Sequence, residues 1–232
     1  MKLSVIIPAY NEEKYIDATI RQFAALAIPH EVIVGDGRST DRTQEIAHAA
    51  GAIVAETPDG IRSPARQRNV GAGVAQGEFL LFIDSTVLLP EINVFLQRAL
   101  AHFEDPAVVG LALPQRIYPE FETRTDAIML TITNCINGLQ RLGSGKFMLM
   151  RRASFVAIGG FRENLVTRED GDFFLRLKKI GMVIFDPSLT ILYSGRREHA
   201  WGWPKLLFIW TRDVAAVTLF DRSMSKEWID VR

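Results

Sequence analysis

Three polar positions in this 232-residue chain fall where short apolar runs end. Asp36 follows the run Glu31–Val34, Asp84 follows Phe79–Ile83, and the turn Pro8-Ala9-Tyr10-Asn11-Glu12 follows Leu3–Ile7. If those runs are parallel strands, the three groups converge at one sheet edge, the place where open α/β sheets bind ligands. Each has a plain structural use as well: Asp36-Gly37 makes a good turn, Asn11 a helix cap, and Asp84-Ser85 an ordinary strand exit. Their shared position at carboxyl ends favours a pocket. Further on, Thr167-Arg168-Glu169-Asp170-Gly171-Asp172 opens a helical pattern with three acids, and Phe173, Phe174 and Leu177 are spaced to pack inward. Acids in a first turn suit the helix dipole, and a carboxylate there can also take a proton from a hydroxyl. Finally, Ser194-Gly195-Arg196-Arg197-Glu198-His199 places two guanidiniums and an imidazole after the run Thr190–Tyr193. Arginine forks suit a diphosphate.

The elements that must position these groups follow from periodicity. The first hundred residues alternate β-branched runs with helical patterns, the mark of βαβ units on a parallel sheet. Strands are expected at Leu3–Ile7, Glu31–Val34, Ala52–Ala55 and Phe79–Ile83, the first and last apolar nearly throughout, as strands covered on both faces should be. Asn11 is expected to cap a first helix with Ile16, Ile20 and Phe23 on one face. Ser39, Thr40 or Asp41 would cap a second helix that Gly51 ends. A third is expected from about Pro64 to Ala75 and a fourth from Pro90. In the second half, a strand near Val108–Leu113 precedes a turn at Tyr118-Pro119. A helical pattern through Ile128, Ile132, Ile136 and Leu139 comes next, then Gly143-Ser144-Gly145 and a strand at Phe147–Met150. No repeat or linker interrupts the chain, which reads as two lobes of one domain.

Composition narrows the partners. Lysine plus arginine total 27 and aspartate plus glutamate 27, so no global field attracts nucleic acid or an anionic membrane. Cys135 is the sole cysteine, which excludes an intrachain disulfide and a cysteine metal cluster and fits a reducing cytoplasm. The N-terminal apolar run is too short for a signal peptide and reads as a strand. Leu206 to Phe220 is broken by Arg212-Asp213 and falls short of a membrane span. The aromatic segment 201–220 is ranked first as a core helix, next as an acceptor wall, and last as a membrane-surface face, since only Lys205 and Arg212 lie near enough to favour anionic lipid.

The motifs together resemble the inverting family-2 glycosyltransferases of the A-type fold. Ser4-Val5-Ile6-Ile7-Pro8-Ala9-Tyr10-Asn11-Glu12-Glu13 resembles that family's opening motif, and Gly35-Asp36-Gly37-Arg38-Ser39-Thr40-Asp41 its Asp-Gly-Gly-Ser-Thr-Asp element. Ala65-Arg66-Gln67-Arg68-Asn69-Val70-Gly71 is similar to its Ala-Arg-Asn-x-Gly element. Phe82-Ile83-Asp84-Ser85-Thr86 stands where the metal-binding Asp-x-Asp would be, and Gly159-Gly160-Phe161 with Glu169-Asp170 matches the acceptor-side signature. The match runs in order from residue 3 to about 195.

The resemblance implies an open mixed α/β sheet of Rossmann-like type flanked by helices, in one domain over 1–232. Residues 1–115 would form the nucleotide-sugar-binding lobe, and 116–232 the acceptor-binding lobe with a C-terminal helical segment. Pro8, Ala9, Tyr10 and Glu12 would line the base and ribose site, and Asp36 would accept a hydrogen bond from a base imino group. Arg68 and Asn69 would hold Asp36 or the nucleotide. Asp84 would ligate Mn2+ or Mg2+ across the diphosphate, with His199 completing the shell. Thr86, where a second aspartate is usual, departs from the pattern. Asp170, beside Glu169, would be the base in a single in-line displacement that inverts the anomeric carbon, while Arg196 or Arg197 stabilises the departing nucleoside diphosphate.

The donor would be a nucleotide sugar and the acceptor a saccharide, lipid or small molecule, in the cytoplasm, with contact to the inner face of the membrane through 201–220 left open. A glycosidase would need no nucleotide pocket at strand ends, and its paired acids would not lie about a hundred residues apart. A nucleotidyltransferase would need a glycine-rich phosphate loop and a lysine after the first strand. A catalytically inactive nucleotide-sugar-binding or scaffold protein of the same fold is the remaining alternative, and Thr86 is the residue that favours it.

Overall fold

The computed structural model describes residues 2–58 and 62–225; the ends of the 1–232 range lie outside the described residues. Its frame is a seven-stranded sheet. The strands are β1 (Leu3–Ala9), β2 (His30–Asp36), β3 (Ile53–Glu56), β4 (Phe79–Ile83), β6 (Val108–Ala112), β8 (Phe147–Arg151) and β9 (Met182–Phe185), in the order β3-β2-β1-β4-β8-β6-β9. β1, β2, β3 and β4 run parallel, β8 is antiparallel to both neighbours, and β9 is again parallel to β6. The sheet is therefore open and mixed, as expected. A smaller sheet joins β5 (Val87–Leu88), β10 (Ile191–Tyr193) and β7 (Gln115–Ile117). The lobe boundary near residue 115 does not divide the main sheet, because β8 and β9 insert into it from beyond that point.

The central strands read apolar throughout because both faces are covered. On one face Leu3, Val5, Ile7, Leu81 and Ile83 pack with Ile16 and Ile20 of α1 (Ile16–Arg21) and with Phe95 and Leu96 of α4 (Ile92–Ala101). On the other, Ile6, Leu80, Phe82, Met148 and Met150 pack with Ala65 of α3 (Pro64–Val74) and with Phe173, Phe174 and Leu177 of α7 (Glu169–Leu177). Successive strand residues point to opposite faces, which produces the alternation.

Helix starts differ from expectation where a cap has a distant partner. Asn11 does not cap α1, which begins after Tyr15 with no side-chain cap. It sits at φ +54° and its Oδ1 accepts from Thr40 N at 2.7 Å, tying the loop after β1 to the loop after β2. Asp41 does serve α2 (Thr43–Ala49), accepting from Thr43 N at 2.9 Å, and Gly51 at φ +85° follows its end. α4 starts two residues beyond Pro90, after Glu91 in a left-handed conformation. α5 (Arg124–Gln140) opens on a capping box of Thr123 and Asp126.

The remaining helices are the short α6 (Arg152–Ala157), α8 (Arg196–Trp201) and α9 (Trp203–Phe220). α9 is not a core helix: Trp203, Leu206, Asp213 and Ala216 are its buried residues, while Phe208, Leu219 and Phe220 are exposed. No helix among the described residues is long and apolar enough to cross a membrane.

Candidate active site

At the carboxyl ends of β1 and β4 lies a cavity of about 1200 Å³ that runs on between α5, α8 and α9. Pro8, Tyr10, Glu12, Arg68, Asp84, Glu169, Asp170, Arg196 and Arg197 all line it. Residues drawn from five separate stretches of sequence thus meet at one place.

The organising group is Arg68 on α3. Its helix can lie against β2 because Gly35 leaves room: a Cβ there would stand 2.0 Å from the carbonyl oxygen of Gln67. From that position Arg68, with a side chain 3% exposed, donates to Glu169 Oε1 at 2.7 Å, to Asp84 Oδ1 at 3.2 Å and to the Gly145 carbonyl at 3.1 Å. Burial disfavours its charge, but Glu169, Asp84 and Asp170 outweigh that and keep it a cation. Glu169 is the member of the pair that titrates. Burial, with Asp170 beside it, pushes its carboxyl up to about 7 in spite of Arg68.

Asp170 is held differently. Its Oδ2 accepts from Gly145 N and its Oδ1 from Gly171 N, each at 2.7 Å, so the carboxylate is fixed in direction while still lining the cavity. Gly145 therefore serves both groups, its N–H orienting Asp170 and its carbonyl orienting Arg68. A Cβ at Gly145 would stand 2.5 Å from Arg68 Nη2. Arg168, which precedes α7, sits at φ +68°, a backbone state that costs a non-glycine residue about 1 kcal/mol or more.

The cationic rim comes from α8. Arg196 donates to Glu12 Oε2 at 2.9 Å and also contacts Glu12 Oε1, bridging the loop after β1 to the far side of the cavity. Burial lowers the Arg197 pKa against the pull of Asp84 and Glu198, and its guanidinium lies 5.2 Å from the Trp201 ring centre. Lys146, which no sequence motif singles out, also lines the cavity, 3.7 Å from Glu198 Oε1 and 4.3 Å above the Tyr193 ring.

Four expected placements change with this geometry. Of the two partners expected for Arg68, Asp36 is not met, since the guanidinium serves Glu169 and Asp84. Arg68 does line the cavity, where the nucleotide is the other expected partner. Asn69 faces away from the cavity and clamps the turn at Phe161, accepting from its N–H at 2.9 Å and donating to its carbonyl at 2.8 Å. His199 bonds Asp126 Oδ2 at 3.1 Å and does not line the cavity with Asp84. Burial alone would raise Asp126, but hydrogen bonds from Thr123, Trp203 and His199 hold it down at about 2.

Asp36, the fourth, is fully buried and committed to its own loop: Oδ2 accepts from Ser39 N at 2.8 Å and Gln44 Nε2 at 2.7 Å, and Oδ1 from Ser39 Oγ at 2.5 Å. Asp36 does not line the cavity, and reading a base would require it to become accessible there. Ala9 is likewise buried, and its carbonyl accepts from Gly37 N and Gln67 Nε2. Asp36→Ala is expected to lower folding stability by about 1–3 kcal/mol, the cost of losing the bonds that close its loop; an unchanged denaturation midpoint would contradict this.

Among the described residues no three His, Cys, Asp or Glu side chains gather to hold a cation. What the cavity offers is Asp84, whose side chain is 37% exposed, with the Ser85 and Thr86 hydroxyls beside it. One carboxylate fits a divalent cation only if the ligand's own phosphates supply further oxygens.

An open mixed sheet with a cavity at the strand ends, lined by carboxylates and arginines, places the chain among the open α/β folds. Residues 4–159 match the family described as Glycosyl transferase family 2, and the chain belongs to that family. Poly(ribitol-phosphate) beta-N-acetylglucosaminyltransferase TarS of Staphylococcus aureus is 39% identical over 92 residues, covering 37% of this chain and 16% of that protein. Succinoglycan biosynthesis protein ExoA of Rhizobium meliloti is 28% identical over 202 residues, 80% of this chain and 61% of that one. The chain thus spans less than two thirds of either relative. Among solved structures, the mannosyltransferase PcManGT from Pyrobaculum calidifontis, in complex with GDP-Man and Mn2+, superposes with a TM-score of 0.69 at 22% identity, over 86% of this chain and 59% of that one. At such identity the likeness establishes the A-type glycosyltransferase fold, in agreement with the sequence motifs.

Proposed function

We propose that the chain transfers a sugar from a nucleoside-diphosphate sugar to an acceptor hydroxyl, with inversion and with Asp170 as the general base. The observation that carries this reading is the Arg68 hub. One buried guanidinium joins Asp84, on the donor side, to Glu169, on the acceptor side, and Asp170 is aimed into the same cavity by Gly145. Family membership supports it, as do the solved complexes of proteins with this fold, which include TarS with UDP-GlcNAc and PcManGT with GDP-Man and Mn2+.

In this reading Pro8, Tyr10 and Glu12 face the nucleoside, and Arg196 turns from Glu12 toward the diphosphate as the donor enters. The acceptor oxygen bonds to the anomeric carbon while the bond from that carbon to the diphosphate breaks. The electron pair leaves on the nucleoside diphosphate, and the acceptor proton passes to Asp170. Glu169 keeps Arg68, and through it Asp84, in register. A divalent cation would be held by Asp84 together with the donor's phosphates, and it would supply charge neutralisation at the leaving group.

Because Asp84 stands without a second aspartate, metal and donor are expected to bind cooperatively. Manganese should raise the melting temperature of the protein strongly only when a nucleotide sugar is present. EDTA should abolish transfer and manganese restore it, and Thr86→Asp should tighten metal binding without donor. Full activity of metal-stripped protein in excess EDTA would instead assign the diphosphate charge to Arg196 and Arg197.

A further inference from the structure

The cavity does not end at the polar groups. It continues between α5 and α9, where Ile136, Leu207, Trp210 and Leu219 contribute apolar stretches to its walls beside the polar Asn137, Gln140 and Thr218. Outside it the apolar surface runs on along α5: Ile136, Ile132 and Ile128 are 46%, 47% and 61% exposed. These three lie four residues apart on one helix face, a stripe about 12 Å long at 1.5 Å per residue. A stripe with this period ordinarily faces a core, yet on the 17-residue α5 only Asp126 and Leu130 are buried.

The geometry points to an amphiphilic acceptor: a hydroxyl-bearing head at Asp170 carried on a hydrocarbon chain that lies between α5 and α9. The inference rests on the transfer reading above and names the acceptor class for it. A charged and hydrogen-bonding end continuous with an apolar end complements a molecule built the same way, and each methylene buried on the apolar walls should raise affinity about fourfold. The head's hydroxyl oxygen takes the sugar and its proton goes to Asp170, so the chain takes no part in the chemistry and acts on binding alone.

A bilayer fits the same surface less well. Of the two cations on α9, Arg212 is paired with Asp213 at 2.7 Å and Lys205 lies over the Trp201 ring at 4.9 Å, so neither rim cation stands apart to meet anionic headgroups.

The test is calorimetric titration of methyl, hexyl and octyl β-glucosides, below their micelle concentrations, into the protein with and without UDP. Affinity is expected to rise at least tenfold from methyl to octyl. Ile136→Gln and Leu219→Gln, both at exposed positions, should erase that gain and leave UDP binding unchanged. Equal affinity for all three glucosides, or an undiminished gain in both variants, would overturn the inference. So would phosphatidylcholine–phosphatidylglycerol vesicles sedimenting the protein without any chain-length gain, which would assign the face to a bilayer. A dimer dissolved by Ile136→Gln, again without that gain, would assign it to a second copy and overturn the inference equally. UDP and GDP binding measured without glucoside judges the donor reading separately: if it is absent while the chain-length gain persists, the donor reading falls and the apolar groove stands.

Discussion

Asp170→Asn is expected to lower sugar-transfer turnover about a hundredfold or more while nucleoside-diphosphate affinity stays within about twofold. The amide can still accept from Gly145 N through its oxygen but gives up the bond from Gly171 N, so it is the unchanged nucleoside-diphosphate affinity that separates the missing base from a disturbed loop. Glu169→Gln should do less, because Glu169 is buried on Arg68 and acts by positioning. If Asp170→Asn turns over as wild type with a verified acceptor, the base lies elsewhere, and Asp172 becomes the next residue to test. Asp172 is the weaker candidate, since its carboxylate is engaged by Arg176 at 2.8 Å and Arg162 at 3.4 Å.

Arg68→Leu should be the most destabilising single change at the site, by about 3–5 kcal/mol near pH 8, because removing one partner strands a buried carboxylate. The loss should shrink at lower pH. The Glu169 carboxyl already lies raised at about 7 with Arg68 present, and without the guanidinium it moves higher still. A carboxyl whose folded pKa is raised binds more protons folded than unfolded. Its contribution is therefore fully present below the unfolded value and is lost as pH climbs through the folded one. Denaturant unfolding at pH 6 and pH 8 should accordingly show a wider gap between variant and wild type at pH 8; an equal or narrower gap would contradict the assignment of Glu169 as the titrating partner.

Local pattern made most of the frame legible. The four N-terminal strands were expected within two residues at either end, β1 and β4 because burial on both faces writes an uninterrupted apolar run. The site's outline followed, since strand ends converge whatever the loops do. What local pattern could not supply was the partner of a polar side chain. Arg68 lies next to Asn69 and was read with Asp36 or the nucleotide, yet its partners in the chain are 16, 77 and 101 residues away. His199 was read as a ligand beside Asp84, but Asp126, 73 residues distant, takes it.

Asn11 misled for the same reason, since the loop it caps belongs to the next strand unit. β5, β7 and β9 were missed because runs of two to four residues carry too little periodicity to stand out. The missed Lys146 had one available signal: the glycine run before β8, at which Gly145 brings the backbone against Arg68. α5 shows the reverse case, a clear helical period whose apolar side faces out.

The central claim is that a nucleotide sugar is turned over in this cavity. Its most direct measurement is nucleoside-diphosphate release from a panel of UDP- and GDP-sugars, with manganese, by wild type and by Asp170→Asn, supplied with an octyl glycoside acceptor. The account predicts release by wild type from at least one donor and about a hundredfold less from Asp170→Asn. Binding of a nucleotide sugar without any release, or equal release by the two proteins, would contradict it.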